Sequence, residues 1–182
     1  VYKIRLKSNS IKKVEFTPGY FIRLGIGIGN NTLEMKDKVR SYSVWEINHN
    51  KGYIELAIAT ESNGIGAQWA IQCKEGDTVY YKWKKGKFLI DHTADSYLMI
   101  GDLSALSHLY MIQRHLDKNK SCNSLIYGTS TKDFFPDING IPNPDTRVIK
   151  HTSIDEIIPI VKDIVAHMQG NKMVYIAGDS RI

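Results

Sequence analysis

The sequence predicts two domains: a small antiparallel β-barrel over residues 1–92, followed by an α/β domain with a parallel sheet over residues 93–182. Three observations predict it. Up to residue 90, short runs of alternating apolar residues are broken by the turn signals Pro18-Gly19, Gly29-Asn30-Asn31, Asn50-Lys51-Gly52 and Gly76-Asp77, the punctuation of hairpins. From Ser96 onward apolar strand-like runs alternate with longer helical periodicities, which implies parallel strands joined by crossover helices. The charge divides at the same place, with 15 Lys and Arg against 8 Asp and Glu over residues 1–90, and 9 against 11 over residues 91–182.

In order, the strands are expected at Tyr2 to Leu6, Ile11 to Phe16, Tyr20 to Ile28, Val39 to Ile47, Tyr53 to Thr60 and Thr78 to Trp83, each rich in β-branched or aromatic residues. A short helix, Ala67 to Cys73, interrupts them behind Gly64 and Gly66. After a link around Asp91 to Asp95 come strand Tyr97 to Ile100, helix Ser104 to Leu116, strands Ser124 to Tyr127 and Arg147 to Lys150, helix Ile154 to Met168 and strand Met173 to Ile176. A sheet of this kind is expected to continue past Asp179 with a further helix and strand, so the C-terminal domain reads as incomplete.

Composition excludes several classes. The chain has 182 residues, 42% hydrophobic and 24% charged, as in ordinary globular proteins rather than disordered or fibrous ones. No run approaches the ~20 apolar residues of a membrane span, and no charged start leads into an apolar signal. A cytoplasmic protein is expected, although a chain opening on Val1 leaves room for a natural N-terminal extension. Cys73 and Cys122 lie far apart without C-x-x-C or Cys/His spacing, which argues against a zinc or iron–sulfur site and for two buried thiols. His108 and His115 are seven apart on one helix face, not the four of a helical metal pair, so no metal site is expected.

Four segments carry chemistry. Arg40-Ser41-Tyr42-Ser43 lies on a predicted strand whose alternation puts Arg40 and Tyr42 on one face. A guanidinium offers a fork of donors to pyrophosphate, a phenol covers a flat ring system, and a small polar residue hydrogen-bonds it; the plainer reading is an exposed Arg and a core Tyr. Gly64-Ile65-Gly66-Ala67-Gln68-Trp69-Ala70 follows the strand ending at Thr60 and opens a helix whose free amides suit an anionic group. Trp69 there also reads as a core anchor. Gly101-Asp102-Leu103-Ser104-Ala105-Leu106 runs from a buried strand into a helix that Ser104 is placed to cap, with amides left for phosphate. Ala177-Gly178-Asp179 follows the last strand.

These segments, in this order, resemble the siderophore-interacting proteins, the ferric-siderophore reductase branch of the ferredoxin reductase-like flavoenzymes. Arg40 to Ser43 matches the flavin signature R-x-Y-[ST]. The second segment is similar to G-P-A-S-x-W-A, with Ile65, Gly66 and Ala67 replacing Pro, Ala and Ser, and Thr60 where the branch has His. The third is similar to G-D-E-T-A-L-P-A, departing at Leu103 and Ser107, and the fourth to A-G-E. The resemblance implies FAD on Arg40, Ser41, Tyr42, Ser43, Thr60, Gly64, Gly66, Ala67, Gln68 and Trp69, and NAD(P)H on Gly101, Asp102, Ser104, Ala105, Gly178 and Asp179. It implies hydride transfer from the nicotinamide to FAD, then one-electron steps to the iron(III) of a ferric siderophore or other anionic ferric chelate, with release of iron(II). No acid–base dyad or nucleophile is needed, because the cofactor carries the chemistry. Two other functions stay open: a flavin or electron-transfer reductase with a protein or quinone acceptor, and a non-enzymatic flavin-binding module.

Two further segments stand outside this set. Gly25-Ile26-Gly27-Ile28-Gly29 is followed by Asn30 and Asn31 and no helix, so it reads as strand end plus turn rather than a phosphate loop. Lys82-Trp83-Lys84-Lys85-Gly86-Lys87 reads as a solvated basic loop or, through Lys82, Lys84, Lys85 and Lys87, as an attractor for an anionic substrate or cofactor. No nucleic-acid partner is expected.

Overall fold

The computed structural model describes residues 1–28, 31, 34, 36–128, 146–149 and 154–178. The chain forms two compact units, Val1–Leu89 and Ile90–Ile182.

The first unit holds two three-stranded antiparallel sheets. In one, β5 (Tyr53–Ile58) lies between β1 (Tyr2–Lys7) and β4 (Glu46–Asn48); in the other, β2 (Phe21–Gly25) lies between β3 (Val39–Ser43) and β6 (Tyr80–Lys84). The apolar set Leu6, Ile22, Leu24, Ile54 and Leu56 is buried, as is Trp45. On the other face of β5, Glu55 is buried under Arg5, whose Nε donates to Glu55 Oε1 at 3.0 Å, while Lys3 Nζ stands 3.8 Å from Oε2. The central strand is therefore covered on both faces, once by hydrocarbon and once by a paired charge.

Four expectations are corrected here. Among the described residues no ladder joins the two sheets, so the strands do not close into the expected barrel. The expected strand Val39 to Ile47 is two strands, because at Val44 and Trp45 the chain leaves one sheet for the other, burying both side chains and pinning the Trp45 amide to Glu55 O at 2.8 Å. The expected strand Ile11 to Phe16 begins instead as a 3₁₀ turn, Asn9–Lys13. Ser8 caps it by accepting from the Ser10 amide at 3.2 Å, and only Ile11 is buried. A local side-chain acceptor competes there with strand pairing and prevails. Helix α1 (Ile65–Gln72) starts two residues before its expected position, behind Gly64.

The second unit is a parallel sheet of four strands in the order β10 (Lys172–Ala177), β7 (Ser96–Asp102), β8 (Ser121–Tyr127) and β9 (Thr146–Ile149). Helix α3 (Ile154–His167) covers one face through Ile157, Ile160 and Ile164 against Leu98, Ile100 and Leu125. Helix α2 (Leu106–Arg114) begins two residues after the expected Ser104, and its Leu109 lies beside Gly101. The chain leaves β7 towards β8 and β9, then returns to place β10 on the other side of β7. The carboxyl ends of β7 and β10 thus flank the point where strand order reverses, the position at which open α/β sheets bind ligands.

Candidate functional site

In the first unit the register decides which side chains meet. Arg40 pairs with Leu24 and Tyr42 with Ile22, both fully buried, so the two motif side chains stand on the inner face of their sheet, at its β3 edge. The N-terminus of α1 reaches them. A Cβ on Gly66 would overlap the Tyr42 hydroxyl and stand 3.7 Å from Arg40 Cγ; only a residue without a side chain lets the phenol lie against this turn. Tyr42 and Gly66, 24 positions apart, are thus in contact with the stem of Arg40 beside them.

Arg40 is held from one side. Its Nη1 donates to the carbonyls of Lys36 at 3.1 Å, Asp37 at 3.3 Å and Val39 at 3.0 Å, and Nη2 stands 3.6 Å from Asp37 Oδ1. Nε makes no hydrogen bond among the described residues, and an anion on the Nε–Nη2 edge would compete with Asp37 for Nη2. The carbonyl anchors and Asp37 were not legible as site residues; the only signal was an acid three positions before Arg40.

Burial pushes the Tyr42 phenol above the ordinary tyrosine range, and the Arg40 charge partly offsets this. Arg40→Ala is therefore expected to move the Tyr42 titration further up, since the cation that favours phenolate is gone while burial remains. Folding protects the neutral phenol, so this contribution is present below the unfolded tyrosine pKa and is lost as pH rises towards the folded one. An ultraviolet titration of the wild type, Arg40→Ala and Tyr42→Phe checks it: a Tyr42 titration unmoved in Arg40→Ala would contradict the arrangement.

The remaining positions divide. Ser41 is exposed on the opposite face and Ser43 is half-buried. Thr60 is half-buried just past β5, and Gly64 is exposed ahead of α1. Gln68 donates from Nε2 to Asn63 O at 3.1 Å, closing the loop into α1. Ala67 is buried, with no face for a ligand. Trp69 lines a cleft of about 960 Å³ along β1, together with Cys73 and Tyr81, and neither Arg40, Tyr42 nor Gly66 lines that cleft. The thiols of Cys73 and Cys122, expected to be buried, are half-buried. Lys82 and Lys84 pair across from Arg23 and Phe21, which places them on the sheet face opposite Arg40 and Tyr42; Lys85 and Lys87 are exposed beyond the strand.

In the second unit the expected turns also meet. Ala177 pairs with Gly101, a Cβ on Gly101 would stand 2.7 Å from both Ala177 O and Leu109 Cδ1, and a Cβ on Gly178, whose φ is 148°, would stand 3.0 Å from Asp102 Cγ. Both glycines are required by close approach. Ser104 does not cap α2 as expected. Its Oγ donates to Asp102 Oδ1 at 2.6 Å, and that same oxygen accepts the amides of Ser104 at 2.8 Å and Ala105 at 3.2 Å. A carboxylate of the chain thus already occupies the amides that were expected to take phosphate. Asp179 lies outside the described residues, as do Gly29, Asn30 and Lys150. Among the described residues no cluster of His, Cys, Asp and Glu is suited to a metal ion.

The model of the oxidoreductase FAD-binding domain matches residues 1–90. The first ninety residues belong to that family. The chain is 29% identical over 120 residues to NADH-cytochrome b5 reductase 1 of Debaryomyces hansenii; the match takes in 61% of this chain and 42% of that protein, so the chain spans about two fifths of this curated relative's length. The whole chain has the ferredoxin reductase-like fold. It superposes on the siderophore-interacting protein SipS of Aeromonas hydrophila with a TM-score of 0.70 at 16% identity, covering 99% of this chain and 74% of that one. It superposes on the ferredoxin reductase of carbazole 1,9a-dioxygenase with a TM-score of 0.69 at 18% identity, covering 98% and 56%. No helix among the described residues is long and apolar enough to cross a membrane.

Proposed function

We propose that the chain is the flavin and nicotinamide part of an NAD(P)H-dependent oxidoreductase that delivers electrons to a ferric siderophore or another anionic ferric chelate. The observation that carries the reading is the contact of Tyr42 with Gly66 beside Arg40, which joins the two segments expected to hold flavin. Those residues fit FAD. Arg40 would take the pyrophosphate on its Nε–Nη2 edge, Tyr42 would lie along the ring system, and the α1 amides behind Gly64 would add donors. Bound FAD supplies the step from two-electron hydride donors to one-electron acceptors. In the second unit, Gly101 and Ala105 are buried, Gly101 against Ala177 and Leu109, and would shape the turn at the switch point from beneath, while Gly178 would lie beside a ligand there. Asp102 holds that turn shut against phosphate, so it would meet the uncharged ring of NAD(P)H rather than its pyrophosphate.

The acceptor reading is supported by the likeness to siderophore-interacting proteins and by the basic excess of residues 1–90, a field that raises the encounter rate of an anionic chelate. Since Lys82 and Lys84 lie on the face opposite Arg40, any such effect is one of overall field rather than direct contact.

The test is anaerobic. The chain is loaded with FAD, mixed with NADH or NADPH, and followed by flavin absorbance, after which an anionic ferric chelate, a neutral one, or a protein carrier is added. Bleaching by the nicotinamide and recovery on the anionic chelate, slowed by salt, are expected. Flavin that binds but stays oxidised would leave a binding module; recovery on the protein carrier alone would replace the chelate as acceptor.

A further inference from the structure

The outer face of the β3-β2-β6 sheet is the one turned away from Arg40 and Tyr42. Its rows, read from the register, are Ser43, Phe21 and Lys84; Ser41, Arg23 and Lys82; and Val39, Gly25 and Tyr80. No carboxylate stands among them. Arg23 lies directly opposite Lys82, an arrangement that costs stability in a sheet, and no ion pair or side-chain hydrogen bond involves Arg23, Lys82 or Lys84 among the described residues. The glycine end of this face is apolar. A Cβ on Gly25 would stand 2.7 Å from Ile28 Cγ1, so Ile28 folds over the gap that Gly25 leaves, next to Tyr80. Ile28 and Tyr80 are 52% and 67% exposed, so two large apolar residues stand in solvent at one end of the face.

We infer that this face docks the protein on an anionic membrane surface. An aliphatic and an aromatic side chain beside a row of unpaired cations is the combination that enters a lipid headgroup layer, with Ile28 and Tyr80 as the buried tip and Arg23, Lys82 and Lys84 meeting lipid phosphates and carboxylates. The exposed Lys85 and Lys87 follow directly. Area separates a bilayer from a protein partner. Three strands of about five residues cover roughly 17 Å by 10 Å, well below the ~800 Å² per partner of a stable protein interface. A charged surface needs no closed interface, because each basic side chain near it strengthens adsorption about fivefold. The inference does not depend on which acceptor the flavin serves.

Vesicle sedimentation of the full chain tests it. With vesicles of phosphatidylcholine and about one third phosphatidylserine, the protein is expected to sediment at low salt and be released as salt rises. With phosphatidylcholine alone it should stay in solution. Arg23→Glu with Lys82→Glu should lower adsorption at least tenfold, and Ile28→Ser should lower it severalfold with little change in salt dependence. Both sites are surface positions, so circular dichroism and the urea midpoint serve as folding controls. If the charge-reversed variant misfolds, Lys85→Gln with Lys87→Gln provides a second reading, expected to weaken adsorption severalfold. Equal binding to neutral vesicles, adsorption that ignores the charge changes, no sedimentation at all, or displacement by a short single-stranded oligonucleotide at lower concentration than by lipid would each overturn the inference.

Discussion

Arg40→Ala is expected to weaken FAD binding about 10- to 100-fold, the loss of a charge-assisted, two-pronged contact to pyrophosphate. The fold should survive, because the guanidinium is partly exposed and its bonds run to carbonyls within its own turn. Arg40→Lys should recover only part of the affinity, since an ammonium keeps the charge and loses the fork. Fluorescence titration with FAD and with riboflavin distinguishes the causes: riboflavin, which has no phosphate, should bind the wild type and Arg40→Ala alike. Full FAD occupancy in Arg40→Ala would remove the phosphate role from this residue.

Trp45→Ala should have the largest effect on stability. The ring is fully buried where the chain passes between the two sheets, and Lys3 Nζ stands 5.3 Å from its centroid. Emptying such a site costs about 3–5 kcal/mol, a large share of the ~5–15 kcal/mol that holds a typical domain together. The urea midpoint of the first unit should fall sharply, with the slope of the transition kept if the change acts on the native state. Lys3→Ala, which removes the cation above the ring and the more distant of two cations near Glu55, should shift it less than Trp45→Ala does. A Trp45→Ala midpoint close to wild type would mean that the strand switch is held by something other than this side chain.

Much of the fold was legible because burial leaves a period in sequence. Strand β5 and the β7-α2-β8 alternation follow from it directly, and both motif segments of the first unit were found where the structure brings them together. What escaped has a physical pattern. The break at Val44 and Trp45 is invisible to alternation, since a strand that changes sheets keeps its apolar rhythm while exchanging partners. The 3₁₀ turn at Asn9–Lys13 was hidden because Ile11 and Val14 have strand-like propensity, whereas the Ser8 cap acts through one local hydrogen bond. The lysine run reads as one basic segment in sequence, yet β-pleating turns Lys82 and Lys84 away from Arg40. At the β7–α2 turn the expected cap, Ser104, and the actual acceptor, Asp102, differ by two positions. Composition favours either residue as a cap, and only geometry separates them.

The continuity of β3 into β4 links occupancy to survival. Residues 39–48 belong to both sheets through one uninterrupted stretch, so an anion bound on Arg40 would resist the melting of either sheet, and the unit would gain from such a ligand as a whole. By mass action, free ligand at a hundred times its dissociation constant adds about 2.7 kcal/mol. A cell short of flavin would then hold less of this protein as well as a less active one, because the empty form opens more often to proteases.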